Sequence, residues 1–302
     1  MGGQGSAFCR SPPQAVQAPE PAPGVLYLVG TPIGNLADLS PRARQVLAGV
    51  QRIACEDTRR SGLLLHQLGL RQKEQGPRLL SFHAHNQTAR IPELLAALAA
   101  GEALAVISDA GLPGISDPGE VLVAAARTAG HSVICIPGPS AVTTALVSSG
   151  LPCGRFCFEG FLPPKTNQRR KRLQELQVEQ RTMVLFEAPH RLLDLLDDLL
   201  AVLGDRPLRV ARELTKKHEE QVGPSVSAAI EHFRRTPPQG ECTLVVAGAL
   251  PPEPLAWDSA ALSAELQELQ RAGHSSNAAA KLLAERTGHS KRELYALLHQ
   301  EP

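Results

Sequence analysis

The chain has 302 residues, more than one average domain, which predicts two domains and a small appendage. Hydrophobic residues make up 43%, charged residues 20% and aromatic residues only 3%, a composition typical of a globular protein with an aliphatic core. The net charge of +1 excludes a chain that is strongly basic throughout, so any contact with nucleic acid must depend on a local basic patch.

The cysteines and the apolar runs indicate a cytoplasmic protein with no membrane segment. None of the six cysteines forms a Cys-x-x-Cys pair, and no apolar run approaches the ~20 residues that a membrane helix needs. Residues 1–24 are rich in Gly, Pro, Ala and Gln and lack an apolar signal core, so we expect a flexible tail there.

Strands and helices alternate after this tail, which predicts an N-terminal α/β domain over residues 25–137. Ser40 and Asp117 each precede a proline, and we predict that each caps a helix that begins at that proline. A third helix is expected near Pro92. The predicted strands are 25–29, 52–55, 79–82, 104–107 and 132–136, and we expect 25–29 and 104–107 to be buried and parallel.

The following residues predict a C-terminal α/β domain over 138–250 and a linker with a small helix-turn-helix-like domain over 251–302. In the predicted C-terminal α/β domain, we expect residues 192–203 to form a leucine-rich helix. Residues 165–172 carry five basic residues and no acidic one, and two interpretations stay open: a solvated loop entering a helix, or a patch that contacts phosphate. The predicted strands are 156–158, 182–186, 208–212 and 242–247.

Three loops rich in glycine and proline, at residues 30–35, 108–119 and 137–141, follow predicted strands. The first lacks the Lys-Ser/Thr of a P-loop and the G-x-G-x-x-G spacing of a dinucleotide-binding turn. Ligands of α/β sheets bind beyond the carboxyl ends of the strands. We therefore predict that the three loops form one cleft for a small ligand.

Seven ordered motifs lie between residues 30 and 216. They are Gly-Thr-Pro-Ile-Gly-Asn-Leu (30–36), Glu-Asp-Thr-Arg (56–59), His-x-His-Asn (83–86), Ser-Asp-Ala-Gly-x-Pro with Ser-Asp-Pro-Gly (108–119), Pro-Gly-Pro-Ser-Ala (137–141), Phe-x-Gly-Phe-Leu-Pro (158–163) and Ala-Arg-Glu-Leu-Thr-Lys (211–216). Together these motifs resemble the bacterial 16S ribosomal RNA 2′-O-methyltransferases, a tetrapyrrole-methylase-like (class III) family. The resemblance extends over about residues 25–250, and the C-terminal helices also resemble the small end domain of that family.

The resemblance implies two α/β domains with S-adenosyl-L-methionine bound in a bent form between them, in a homodimer that methylates the ribose of a decoding-site cytidine in the 16S rRNA of the small ribosomal subunit. Leu112 stands where such enzymes often have Thr, which removes one hydroxyl from the site. The residues implied to bind the cofactor are Pro32, Ile33, Gly34, Asp109, Ala110, Gly111, Leu112, Ser140 and Ala141, with Ala188, Leu214 and Ala247 by strand position.

Positioning of the two reactants supplies much of the acceleration of methyl transfer. A base that accepts the proton of the ribose hydroxyl adds modestly to it. The candidates able to take it are Glu56, Asp57, His83, His85, Glu187 and Glu213. We favour Glu56 or Asp57, which follow a strand, and the motif at 83–86 adds His83 and Asn86 as catalytic candidates. No metal is expected, because the histidine pair lacks a third ligand at suitable spacing.

Contacts with RNA are expected from basic residues near the motifs. Arg59 is predicted to hold a phosphate, and Lys165, Arg169, Arg170 and Lys216 are predicted to contact the RNA backbone, together with Lys171, Arg172 and Lys217.

Two other functions stay open. The same fold would suit a tetrapyrrole methyltransferase of the precorrin or uroporphyrinogen type, although the motifs at 56–59 and 83–86 argue against it. A non-catalytic RNA-binding assembly factor would use the C-terminal helices as its contact. Binding of the cofactor would separate the enzymes from the assembly factor.

Overall fold

The computed structural model describes residues 20–71, 76–251 and 257–298. The chain divides into two compact units, Met1–Gly248 and Ala249–Pro302. The first unit contains two five-stranded sheets, one within residues 25–137 and one within residues 138–250. The domain boundaries set from the sequence inside this unit remain predictions.

The first sheet is entirely parallel, with strand order β3-β2-β4-β1-β5. The parallel direction predicted for residues 25–29 and 104–107 is confirmed. Its strands are β1 Val25–Val29, β2 Arg52–Cys55, β3 Arg78–Ser81, β4 Leu104–Ile107 and β5 Ser132–Ile136. The helices between them are α1 Pro41–Gly49, α2 Thr58–Gln67, α3 Gln87–Ala99 and α4 Glu120–Thr128. Since parallel strands are joined by crossover helices, both faces of this sheet are covered.

Aliphatic side chains hold these helices on the sheet. Val46 and Leu47 of α1 pack against one face, and Leu98 of α3 packs with Leu122 of α4 against the other. Ser40 caps α1 as predicted, because its hydroxyl accepts a hydrogen bond from the backbone N–H of Ala43 at 3.1 Å.

The second sheet is mixed, with strand order β6-β7-β10-β8-β9. Its strands are β6 Phe156–Phe161, β7 Thr182–Glu187, β8 Leu208–Arg212, β9 Glu220–Val222 and β10 Cys242–Val246. Helices α6 Thr166–Glu175, α7 Leu192–Leu203 and α8 Val226–Arg235 pack on one face, and α5 Ala141–Ser148 packs on the other. The predicted leucine-rich helix is confirmed as α7. Helices α2 and α8 and strand β9 were not predicted.

The second unit consists of α9 Ser259–Arg271, α10 Ser276–Thr287 and α11 Lys291–Leu297. Leu266, Leu283 and Leu294, one from each helix, form its core. Gly288 ends α10 as predicted, and its φ of 74° is the left-handed conformation that favours glycine. Across the described segments of the chain, every helix is too short or too polar to cross a bilayer.

The start of α4 differs from the prediction. The sequence predicted that Asp117 caps a helix beginning at Pro118, but α4 begins at Glu120 and Gly119 stands at the capping position with φ 149°. Since that conformation is rare for residues with a side chain, Gly119 sets the break between loop and helix. Asp117 is thereby left in the loop, where it faces a cavity.

Candidate active site

The loops after β1 and β4 are joined by backbone hydrogen bonds. The N–H of Thr31 donates to the carbonyl oxygen of Gly111 at 2.9 Å, and the N–H of Gly111 donates to that of Thr31 at 3.1 Å. The buried hydroxyl of Thr31 also donates to the carbonyl oxygen of Ser108 at 3.2 Å. These bonds bring together the two loops from which the sequence predicted a cleft.

Glycines bring the third predicted loop against the other two. A Cβ atom on Gly30 would lie 2.7 Å from Cα of Gly138, so the loops after β1 and β5 can touch only because both residues lack side chains. Gly111 has φ 87°, and a Cβ there would meet Ile33 at 3.4 Å and the carbonyl oxygen of Pro139 at 3.5 Å. The three loops therefore meet around Gly111.

A cavity of about 410 Å³, within the size range of small-ligand sites, opens at this junction. Loops of the first sheet form one wall, and the second sheet with the loop after β8 forms the other. The lining residues are Ile33, Glu56, Arg60, Asp109, Ala110, Gly111, Leu112, Ile115, Ser116, Asp117, Ser140, Ala141, Val142, Phe161, Phe186, Glu213, Leu214, Lys216, Glu241, Cys242 and Thr243.

The direction of β10 determines which of its residues reach the cavity. This strand runs antiparallel to β7 and β8, and Cys242 pairs with Glu187 and Arg212 at the carboxyl ends of those strands. The start of β10 is therefore beside the cavity. Ala247, which the sequence placed in the cofactor site, follows the opposite end of the strand and does not line the cavity.

Carboxylates outnumber cations in the cavity wall. Glu56, Asp109, Asp117, Glu213 and Glu241 line it, against Arg60 and Lys216. Arg60 pairs with Asp109 at 3.0 Å and Lys216 pairs with Glu213 at 2.8 Å. Both cations are thus already partnered by carboxylates of the wall, which favours a ligand that carries positive charge.

Asp117 is a carboxylate of the cavity wall with a raised pKa. Burial, together with the nearby charge of Glu56, raises the pKa of Asp117 to about 6. Its neighbour Ser116 has φ 62°, a conformation that is uncommon for a residue other than glycine. Sequence reasoning missed Asp117 as a site residue because an aspartate before a proline is also the usual pattern of a helix cap.

Ten of the residues predicted for the site line the cavity. They are Ile33, Asp109, Ala110, Gly111, Leu112, Ser140, Ala141 and Leu214 from the cofactor set, Glu56 from the catalytic set and Lys216 from the substrate set. The other predicted residues do not line it: Pro32, Gly34, Ala188, Ala247, Asp57, His83, Asn86, Arg59, Lys165, Arg169 and Arg170.

Gly34 supports the site from outside the cavity. A Cβ atom at this position would lie 2.5 Å from Cγ of Lys216 and 2.8 Å from the carbonyl oxygen of Leu214. The absence of a side chain allows the loop after β1 to pack against the loop that carries these two lining residues.

Asp57 and Arg59 pair with each other instead of facing the cavity. The carboxylate of Asp57 accepts the backbone N–H of Arg59 at 2.8 Å, which caps α2, and pairs with the Arg59 guanidinium at 2.8 Å. These bonds hold the pKa of Asp57 well below its usual range. A carboxylate that holds a proton so weakly is a poor general base, which leaves Glu56 as the cavity member of the acidic pair.

Asn86 and His83 form the turn after β3. Asn86 accepts a hydrogen bond from the backbone N–H of His83 at 2.8 Å and donates one to the carbonyl oxygen of Ser81 at 3.1 Å. The rings of His83 and His85 stack edge to face with their centroids 5.9 Å apart. The polar atoms of Asn86 are thus engaged in shaping the loop, and its catalytic role remains a prediction.

The basic segment at residues 165–172 has arginines that are already paired. The side chain of Arg169 is 3% exposed and pairs with the equally buried Asp198 at 2.6 Å. Arg170 pairs with the same carboxylate at 2.6 Å, whereas Lys165 and Lys171 are exposed. Arg169 is therefore a buried structural residue and is not accessible to RNA, contrary to the prediction.

The model of the tetrapyrrole (corrin/porphyrin) methylases matches residues 25–230, which contain most of the elements described above. The chain belongs to this family. The family match covers β1 to β9 and therefore almost all of the first unit.

Proteins named ribosomal RNA small subunit methyltransferase I are close in sequence over most of their length. The protein from a Synechocystis species is 48% identical, with 91% of this chain and 97% of the relative covered. The protein from Escherichia coli O157:H7 is 46% identical, with 77% and 80% covered. The protein from Thermotoga maritima is 47% identical, with 74% and 99% covered.

Solved structures share the fold at low sequence identity. Uroporphyrin-III-C-methyltransferase from Thermus thermophilus matches with a TM-score of 0.52 and 22% identity, over 74% of this chain and 94% of that chain. Diphthine synthase matches with a TM-score of 0.55 and 13% identity, over 75% and 91%. These proteins show that the two sheets have the arrangement of this fold.

Proposed function

We propose that the chain is a methyltransferase that transfers a methyl group from S-adenosyl-L-methionine to a ribose 2′-hydroxyl of 16S rRNA, at a decoding-site cytidine. The observation that carries the proposal is the cavity at the carboxyl edge of the first sheet. It is built by the predicted loops in a chain that is 46–48% identical to proteins named for methylation of small-subunit rRNA. The cytidine and its ribose come from the motif resemblance.

The cavity suits the proposed cofactor in its charge and in its apolar lining. S-adenosyl-L-methionine carries a sulfonium and an ammonium against one carboxylate, and the carboxylates of the wall outnumber its cations. Ile33, Ala110 and Leu112 provide apolar contacts on the side of the first sheet. The loops after β1 and β5 pack closely there because Gly30 and Gly138 lack side chains. When bound, the sulfonium would supply an activated methyl group with a neutral thioether as leaving group.

The residues of this chain would position the nucleotide and accept one proton. The new bond joins the ribose oxygen to the methyl carbon, the bond from that carbon to sulfur breaks, and the hydroxyl proton must leave. Glu56 lies in the cavity and is our candidate for holding or accepting this proton. Alignment of the two reactants supplies most of the acceleration, because the leaving group is already good.

Contacts with the RNA backbone would come from exposed basic side chains. Lys165, just before α6, and Lys171, on α6, are exposed and available, whereas Arg169 is excluded by burial. These cations suit phosphates of the ribosomal RNA near the target. The proposal also includes the small ribosomal subunit as the substrate, a homodimer and a cytoplasmic location. The homodimer depends on the motif resemblance, and the location depends on the cysteine pattern.

Transfer of labelled methyl from S-adenosyl-L-methionine to purified small subunits that lack 2′-O-methylation tests the proposal. Nuclease digestion then locates the labelled nucleotide. We expect label on the ribose of one decoding-site cytidine. Binding of the cofactor without transfer to subunits would contradict the proposal and favour a small-molecule methylase, whereas an absence of cofactor binding would favour an assembly factor.

A further inference from the structure

Aromatic residues are scarce in this chain, yet three of its seven phenylalanines meet at the cavity. The ring of Phe186 lies 5.0 Å from that of Phe158 and 5.5 Å from that of Phe161, measured between centroids. Phe161 and Phe186 line the cavity, and Phe158 packs behind them in the core between α5 and the second sheet. The cavity therefore has one aromatic wall, formed by β6 and β7.

A β-bulge in β6 places Phe161 on this wall. Residues three apart on a regular strand point to opposite faces. Here Phe158 pairs with Val184 and Phe161 pairs with Phe186, so one residue of β6, Glu159, has no counterpart on β7. Because Val184 and Phe186 are two residues apart and share a face, Phe158 and Phe161 share that face as well. Without the bulge, Phe161 would point away from the cavity.

Two neighbouring features hold the bulge in place. Glu159 pairs with Arg172 of α6 at 2.7 Å, which anchors the extra residue. Gly160 has φ 62°, and a Cβ atom there would lie 3.2 Å from Oγ of Ser116, which is itself a lining residue. The bulge thus requires glycine at its second residue and is built against the loop that carries Asp117.

Phe161 is 50% exposed although one side of its ring contacts Phe186. Ile115, on the loop after β4, lines the same cavity and is 39% exposed. The cavity therefore leaves apolar side chains partly uncovered both on β6 and on the loop after β4. A flat aromatic ring is the ligand shape that covers a phenyl face and an aliphatic side chain together.

We propose that Phe161, supported by Phe186, stacks on the base of the nucleotide whose ribose is methylated. The proposal extends the function proposed above and depends on it. Proteins that recognise one nucleotide of a folded RNA usually bind an unstacked base, and aromatic side chains replace its lost stacking. The adenine of the cofactor has the same ring chemistry. We assign the ring to the substrate because Phe161 keeps half of its surface open to solvent.

Phe161→Ala, with Phe161→Tyr and Phe156→Ala as controls, tests this assignment. Phe156 lies on the same strand and is 38% exposed, but it does not line the cavity. For each variant, KM and kcat are measured with small subunits as substrate. The dissociation constant for S-adenosylhomocysteine is measured by calorimetry without RNA. Methylation by the unchanged protein decides the proposed function first and independently of these variants.

Loss of one base stack weakens binding by about tenfold or more. We therefore expect Phe161→Ala to raise KM for the subunit about tenfold and to leave the dissociation constant of S-adenosylhomocysteine unchanged. Phe156→Ala should resemble the unchanged protein, and Phe161→Tyr, which keeps the aromatic ring, should restore most of the binding that Phe161→Ala loses. An equal weakening of S-adenosylhomocysteine binding would overturn the proposal in favour of the cofactor's adenine. An unchanged KM in Phe161→Ala would overturn it as well.

Discussion

The loop at residues 108–119 and helix α6 both carry charged residues, yet the fold uses their charges differently. In the loop, Asp117 is held among other carboxylates at an open cavity. In α6, Arg169, Arg170 and Arg172 all pair with carboxylates of neighbouring elements. Charges that lack partners of opposite sign at a cavity favour a ligand, whereas charges that are paired and buried hold elements together.

The largest expected effect concerns the structural role of α6. Arg169→Ala would leave Asp198 buried with only the half-exposed Arg170 as partner, and we expect a loss of about 3 kcal/mol in the free energy of unfolding. Arg170→Ala should cost less than about 1 kcal/mol, because its side chain is half-exposed and Arg169 remains as the buried partner of Asp198. Denaturant titrations of both variants measure this. Equal losses would contradict the contrast between buried and exposed partners.

The next effect separates the two adjacent acidic residues after β2. Glu56→Gln removes a carboxylate from the cavity, and we expect turnover to fall about 100-fold, the usual range for a general base. Asp57→Asn is the matched control, since asparagine also caps helices well and Asp57 is paired with Arg59. We expect it to change turnover less than threefold. If both variants kept normal turnover, neither residue would take part in catalysis.

The third effect is a stability that depends on pH through Asp117. Because the pKa of Asp117 in the folded protein is about 6, above its ordinary value of 3.8, its stabilising contribution is full below pH ~4 and is lost as the pH rises through 6. At pH 8 the charged, partly buried carboxylate opposes folding. Asp117→Asn should therefore stabilise the protein by about 1 kcal/mol at pH 8, after allowance for solvent screening, and raise Tm by about 2–4 °C.

Thermal melts at pH 8 and pH 4.5 check the Asp117 prediction. The gain in Tm should shrink at pH 4.5, where the folded protein already holds the proton. Asp38→Asn, which changes an exposed carboxylate, should give no such difference between the two values of pH. A gain of the same size at both would show that the effect does not arise from titration of Asp117.

The sequence predicted what depends on local pattern and missed what depends on strand direction. The strands of the first sheet, the cap at Ser40 and the helix at α7 follow from hydrophobic spacing and turn residues. Val226, Ala229, Ile230 and Phe233 have helical spacing too, so α8 was readable from the sequence.

The rest of the site depends on pairing between distant segments. Nothing local shows that β10 runs antiparallel, which is why Ala247 was placed at the wrong end of its strand and Glu241 and Thr243 were missed. The bulge that turns Phe161 toward the cavity likewise depends on the register with β7, for which Gly160 is the only local indication.

The smallest expected effect concerns the basic residues near α6 that stay exposed. Each phosphate contact contributes about 0.7–0.9 to the slope of log affinity against log salt. Replacing both Lys165 and Lys171 by alanine should therefore lower the slope for binding to small subunits by about 1–2 and weaken binding a few-fold, without changing stability. Arg235→Ala, which removes an exposed arginine paired with Glu231 on α8, is the matched control and should leave the slope unchanged. If the lysine variant and the unchanged protein showed the same slope, α6 would have a structural role alone. The RNA contacts would then be restricted to residues at the cavity.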